Sequence, residues 1–225
     1  MRILVVGAAQ GLGLIFAKHC AQKGNTVYAG YVGSFPAQDT NIIPIEMDVT
    51  NEDMIKKVAA EIAKDGELDA ILVTAGVLTN SDRELSITEC SIADLRKALD
   101  VNVAGVAIVI KHFEKSVKKG GFFIILTSEA GSMTNIGTRY PAYSITKAGE
   151  NKLVAIFRAT MEEKGYPYNI YAMHPGRMNT EMGRNDAQIE PTVTAESIYQ
   201  IFTGEKKIPP ENGWFVNYLG DKMEI

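Results

Sequence analysis

The chain has 225 residues, 46% of them hydrophobic, which is enough to close one sizeable core; layered α/β folds commonly reach this length as a single domain. Its net charge of -4 supplies no basic field for nucleic acid, so small-molecule partners are expected. Cys20 and Cys90 show no paired spacing and read as reduced thiols, and His19, His112 and His174 are too scattered for a metal motif, so no metal is expected.

Residues 2–6 form a short apolar run that breaks at Gly7, and residues 12–23 then carry Leu12, Ile15, Phe16 and Cys20 at helical spacing. This is strand, tight turn, helix. The opening run is too short for a signal-peptide core or a membrane span, so no membrane partner is expected and the cytoplasm is the expected location. Similar apolar runs recur at 26–29, 42–46, 70–74, 122–127 and 168–173, most of them separated by segments of helical period. Strands of that kind alternating with helices predict a Rossmann-type, doubly wound parallel sheet covered on both faces, with residues 1–225 as one domain. The exception is 31–41, which contains Pro36 and is too short for a parallel crossover helix, so a loop or single turn is expected.

The longest helical pattern runs over 92–118, with Leu95, Leu99, Asn102 or Val103, Val106, Ile110, Phe113 and Val117 on one stripe, and is expected to stop at Gly120-Gly121. Another helical run opens after Pro141 and continues through Phe157, while 183–192 is the most irregular stretch.

Several features carry chemical meaning before any resemblance is considered. Gly7-Ala8-Ala9-Gln10-Gly11-Leu12-Gly13 lies between the first strand and first helix, where glycine permits positive φ and lets backbone N–H groups approach a pyrophosphate at the helix N-terminus. No lysine follows Gly13, which disfavours a nucleoside-triphosphate loop. Asn102 interrupts an apolar stripe, where an unpaired amide would cost about 1–3 kcal/mol, so it needs a partner. Tyr143 and Lys147 stand four apart on one helix face; a cation about 5 Å away at an effective dielectric near 20 favours phenolate by roughly 3 kcal/mol, about two pKa units. Tyr218 and Lys222 repeat that spacing with Gly220 and Asp221 between them, which reads as a coincidence in a turn. Ser128 ends an apolar strand and by itself would pass for a cap or turn residue.

The glycine spacing resembles that of short-chain dehydrogenases/reductases, and the resemblance continues along most of the chain. Asp48-Val49 is similar to the pair that the family places beside the adenine. Ala75-Gly76 resembles the end of its Asn-Asn-Ala-Gly motif, with Val73-Thr74 as a departure. Asn102, Ser128, Tyr143 and Lys147 match its catalytic tetrad, and Pro175-Gly176 with Thr180 matches its cofactor-carboxamide segment. The stretch from His174 to Met182 is similar to the C-factor or sniffer-like subgroup.

The resemblance implies an NAD(P)-dependent oxidoreductase that passes hydride between the nicotinamide and a small carbonyl or alcohol. Tyr143 would exchange the proton and Ser128 would hold the substrate oxygen. Lys147 would reach the nicotinamide ribose, and Asn102 would join a water relay to Lys147, the alternative being a backbone bond to a neighbouring element. Gly7, Gln10, Gly11, Leu12, Gly13, Asp48, Val49, Ala75, Gly76, Pro175, Gly176 and Thr180 would complete the dinucleotide site. Strand two ends without an acidic residue to repel a 2′-phosphate, which favours NADP, with NAD as the alternative. Glu129, Met133, Tyr140, Arg177 and Met182 are candidate walls of the substrate site, Arg177 either as a partner for an anionic group or as a surface residue. A homodimer or homotetramer is expected, and a dinucleotide-binding sensor with incidental turnover is the alternative function.

Overall fold

A computed structural model describes residues 1–36, 39–134, 137–166, 168–183 and 187–225. One seven-stranded sheet runs through the chain in the order β3-β2-β1-β4-β5-β6-β7, with every neighbouring pair parallel. Its strands are β1 (Arg2–Val6), β2 (Thr26–Tyr31), β3 (Ile42–Glu46), β4 (Leu68–Val73), β5 (Val117–Leu126), β6 (Asn169–His174) and β7 (Phe215–Asn217). The order reverses between β2-β1 and β1-β4, so the crevice at the carboxyl ends of these strands is the place for a ligand.

Side chains alternate across β1 and sort the core into two layers. Ile3 and Val5 join Phe16, Ala17 and Cys20 of α1 (Gly11–Gln22) and Ile198, Ile201 and Phe202 of α7 (Pro191–Thr203). Leu4 and Val6 face the other way, toward Ile55 and Ile62 of α2 (Glu52–Lys64), Val109 and Phe113 of α5 (Val106–Phe113), and Val154 and Phe157 of α6 (Pro141–Glu163). Both faces are therefore covered, as near-continuous apolar strands require. Pro44 is tolerated because β3 lies at the sheet edge. Among the described residues no helix is long and apolar enough to cross a membrane.

The 92–118 pattern is not one helix. It divides into α4 (Ile92–Ala98), a π-helical segment (Leu99–Gly105) and α5, and Val117 already belongs to β5. An apolar residue four positions after Phe113 fits a helix stripe and a strand equally well, so periodicity misplaced this boundary. Gly120 and Gly121 do not stop a helix: they mark an irregularity inside β5, where the pairing with β4 shifts register between Leu68 and Ala70. Gly121 is required there, because a side chain would press within 2.6 Å of the Asp69 carbonyl.

Three elements that the sequence patterns did not single out are α3 (Asn80–Glu84), α7 and β7. The 31–41 connection carries no helix among its described residues, and 37–38 lie outside them; likewise 184–186 of the irregular stretch lie outside, and α7 already begins at Pro191.

Candidate active site

The turn between β1 and α1 divides its work among three glycines. Gly7 (φ +95°) lies so close to β4 that a side chain would come within 2.6 Å of the Ala75 amide nitrogen, and one on Gly13 would strike the Gly7 carbonyl. These two glycines hold the turn against the sheet. Gly11 (φ +55°) faces open space, with nothing within 4 Å of where a side chain would stand. Gln10 offers α1 no side-chain cap and the first turn holds no acid, so the positive end of the helix dipole remains available to an anion. The cradle thus fits a pyrophosphate. Leu12 is buried in the core, so only its backbone can serve such a ligand.

Thr74, the departure from the family pattern, donates its hydroxyl to the carbonyls of Val6 (2.9 Å) and Gly7 (3.0 Å) and so ties the end of β4 to the glycine turn. After β3, Asp48 accepts from the amide (2.9 Å) and hydroxyl (2.7 Å) of Thr50, while Val49 is buried against Gly105. Their position at the same sheet edge suits the adenosine end of a dinucleotide.

Asn102 sits in the π-helical segment, a distortion that recurs at functional sites. Its Oδ1 accepts from the Val77 amide (2.8 Å), and its Nδ2 donates to the Val77 carbonyl (3.0 Å) and Thr146 Oγ1 (2.9 Å). The partners of its side chain are therefore backbone of a neighbouring element and Thr146 of α6, which clamp it in place. Gly76 lies beside it; a side chain there would meet Asn102 Oδ1 at 3.4 Å and Lys147 Nζ at 3.6 Å.

Helix α6 enters under constraint. Tyr140 adopts a left-handed conformation (φ 56°) and Pro141 supplies the first helical position. No residue of α6 caps its own N-terminus; Asp82 of α3, 4% exposed, does so from outside, accepting from the amides of Ala142 (2.7 Å) and Tyr143 (2.9 Å). Thr146 closes the next turn by donating to the Tyr143 carbonyl (2.8 Å).

Lys147 lies under the half-buried Tyr143, with Nζ 5.4 Å from its ring centre. Only 4% exposed, it donates to the Leu126 carbonyl (3.0 Å) and to both carboxylate oxygens of the fully buried Glu150, at 3.0 and 2.8 Å. Burial opposes the ammonium charge, but Glu150 and Tyr143 outweigh it and raise the lysine above its ordinary range. Burial likewise drives the Glu150 carboxyl up to about 7, against the pull of Lys147. Gly131 is needed for this packing, because a side chain would come within 2.7 Å of the Lys147 carbonyl.

Above Tyr143 opens a cleft of about 960 Å³. Ser128 stands in its wall, its Oγ accepting from the Ala130 amide (3.1 Å), and Thr127 Oγ1 is buried beside it with no hydrogen-bond partner. Pro175, Gly176 and Thr180 also line it, and Glu129, Met133, Tyr140, Arg177 and Met182 line the cleft as expected. Arg177 is committed to Glu129 Oε1 at 2.6 Å, which removes the reason to cast it as an unpartnered receptor for an anionic substrate. Burial resists the Glu129 charge, yet Arg177 and His174 hold its carboxyl below the usual range. His174 is pushed down chiefly by burial, and its Nδ1 accepts from the Glu129 amide at 3.3 Å.

Nearly all the sequence-derived site residues thus collect along one carboxyl edge, and Tyr218 is confirmed as a turn residue packed against Gly176. The site also contains residues that sequence reasoning missed. Glu150 had a readable signal, since it follows Lys147 by one helical turn. Asp82 had none, because its role depends on where α3 lies.

A nicotinamide-dinucleotide oxidoreductase is the class defined by this switch-point crevice, the glycine cradle and the Ser128, Tyr143 and Lys147 arrangement. The chain matches the short chain dehydrogenase family over residues 1–190 and belongs to it. It is 30% identical over 192 residues to estradiol 17-beta-dehydrogenase 2 of Rattus norvegicus, covering 80% of this chain but 49% of that longer relative. It is 27% identical to a 3-oxoacyl-[acyl-carrier-protein] reductase of Synechocystis, over 92% of this chain and 83% of the relative. In fold it is similar to the carbonyl reductase Sniffer of D. melanogaster (TM-score 0.85, 23% identity, covering 100% and 99% of the two chains). An NADPH-bound carbonyl reductase from chicken fatty liver has the same fold (TM-score 0.84, 20% identity, covering 100% and 98%).

Proposed function

We propose that this protein is an NADP-preferring carbonyl reductase, acting on a small carbonyl compound with Tyr143 as proton donor. The observation that carries the reading is the cleft itself: Ser128 and Tyr143 share its wall while Lys147 lies buried beneath the Tyr143 ring, at the sheet edge that bears the glycine cradle. When bound, the dinucleotide supplies or accepts hydride. Its pyrophosphate would rest on the Gly11 turn and α1, its adenosine near Asp48 and Val49, and its nicotinamide end near Gly176 and Thr180, with Lys147 reaching the ribose by giving up one of its present acceptors. NADP is favoured because β2 ends at Tyr31 and is followed by Val32, neither of which would repel a 2′-phosphate; NAD remains the alternative.

Ser128 donates to the substrate oxygen as charge develops there, and Tyr143 gives that oxygen a proton in reduction or takes one in oxidation. Asp82, Thr146 and Asn102 hold the start of α6 and thereby the position of Tyr143. We read residues 1–225 as a single dinucleotide-binding domain, supported by the one continuous sheet. We read the protein as cytoplasmic, in keeping with its two free cysteines, Cys20 and Cys90. Self-association as a homodimer or homotetramer is supported by exposed Ile92, Leu99, Ile145 and Ile156 on α4, the π-helical segment and α6. Nothing specific favours the sensor alternative.

Fluorescence titration with NADPH and NADH, followed by turnover of a panel of aldehydes and ketones, tests the proposal. Tighter NADPH binding and reduction of at least one class are expected; binding of neither cofactor would refute it.

A further inference from the structure

We infer that Glu150 is a positioning residue for proton transfer, whose carboxylate offsets the Lys147 charge so that Tyr143 holds its proton and the site is set for carbonyl reduction. This rests on the reading of Tyr143 and Lys147 just given, and adds a residue that reading does not use.

The argument begins with hydrogen-bond capacity. An ammonium has three N–H donors, and Lys147 faces three acceptors within 3.0 Å: the Leu126 carbonyl and both oxygens of Glu150. Two of the three belong to one carboxylate. Glu150 has no exposure to water and, among the described residues, its side chain has no other hydrogen-bond partner, so its carboxylate faces Lys147. A lone lysine beneath Tyr143 would favour phenolate; a lysine bound to a buried carboxylate presents little net charge.

The surrounding elements add no competing ion. Glu129, on the turn beside α6, is engaged by Arg177 and His174. Asp82 of α3 is spent on the α6 amides, and Asp100 of the π-helical segment is exposed. Among the described residues, Lys147 is the charged group that acts on Glu150, and Glu150 and Tyr143 are those that act on Lys147.

The pH ordering is consistent. A carboxyl lifted to about 7 is ionised in the alkaline range where tyrosine titrates, so the neutral pair is the one Tyr143 meets there. In reduction Tyr143 gives its phenol proton to the carbonyl oxygen, the hydride for the carbon being what the dinucleotide would supply when bound, and solvent in the cleft reprotonates the phenolate. Holding that proton to higher pH extends the range over which reduction proceeds and moves alcohol oxidation upward. Any bond from Lys147 to the ribose must also displace one of its three present acceptors.

Glu150→Gln keeps the size and removes the charge. In the cofactor-free protein, ultraviolet phenolate titration with the corresponding Tyr143→Phe protein subtracted isolates Tyr143 among the nine tyrosines. Its apparent pKa is expected to fall by about one unit or more relative to the parent. The rising limb of the alcohol-oxidation profile should follow, and Glu150→Asp should restore much of the parental behaviour. A folded Glu150→Gln protein whose Tyr143 titrates unchanged or higher would overturn the inference.

If that variant does not fold, Lys147→Met with Glu150→Gln removes both buried charges together. Tyr143 should then titrate as in the parent, and a rise of about one unit or more would show that Lys147 acts undiminished and the inference is wrong. Failure of the underlying reading is separate: it would appear as carbonyl turnover surviving Tyr143→Phe, whatever the titration shows.

Discussion

The two ends of the proposed cofactor site are built on opposite principles. At the β1–α1 turn, function comes from missing side chains: Gly7 and Gly13 permit close backbone packing, and Gly11 leaves room for a ligand at an uncapped helix end. At α6 it comes from side chains placed where they are costly: Lys147 and Glu150 are buried charges, and Asp82 and Asn102 are buried polar groups with every strong bond aimed at backbone or another buried group. The first end can be read as spacing. The second exists only as a network, and removing one member leaves the others unsatisfied.

Tyr143→Phe should separate the two ends most sharply. It keeps the ring over Lys147 and removes the proton, so turnover should fall by at least ~10²-fold while dinucleotide affinity stays nearly unchanged. Steady-state kinetics beside fluorescence titration checks both halves; parental turnover would return this residue to the same standing as Tyr218.

Gly11→Val attacks the other end. The substituted side chain enters the space kept for pyrophosphate and must adopt positive φ. Affinity for either cofactor is expected to drop by more than ~10-fold, a change above about 1.4 kcal/mol, with a cooperative fold retained. Titration that matches the parent would show the cradle to be misassigned.

Asp82→Ala tests whether the network at α6 is structural support for the chemistry. Two buried amides lose their acceptor, so chemical denaturation should show a loss of about 1–3 kcal/mol and kcat should fall by roughly tenfold with less effect on cofactor affinity. Equal stability would mean that another group caps α6. The smallest effect belongs to Tyr218→Phe, which should leave turnover and binding unchanged, because that tyrosine lies in a turn with its Lys222 partner outside any helix.

The contrast also explains what could be read without coordinates. The parallel strands, the glycine turn, the Tyr143-Lys147 helix and the loop character of the described part of 31–41 follow from local periodicity and from φ preferences carried within a few residues. The same local reading extended a helix through Val117, because a residue four positions after Phe113 satisfies either period and only pairing with Leu68 selects the strand. Arg177 could be weighed as an anion receptor until the fold placed Glu129 against it.

By itself, the sequence determined the layered α/β class, the glycine turn and the Tyr143–Lys147 spacing, since each depends on residue type at short range, while Ser128 stood out only through the family resemblance. Tertiary structure decided what those groups experience. It closed Asn102 onto Val77 and Thr146, brought Asp82 across from α3 to cap α6, and sealed Glu150 with Lys147 away from water. Burial and partner geometry are properties of packing between segments far apart in the chain, and in a low-dielectric interior they govern which charges act on Tyr143.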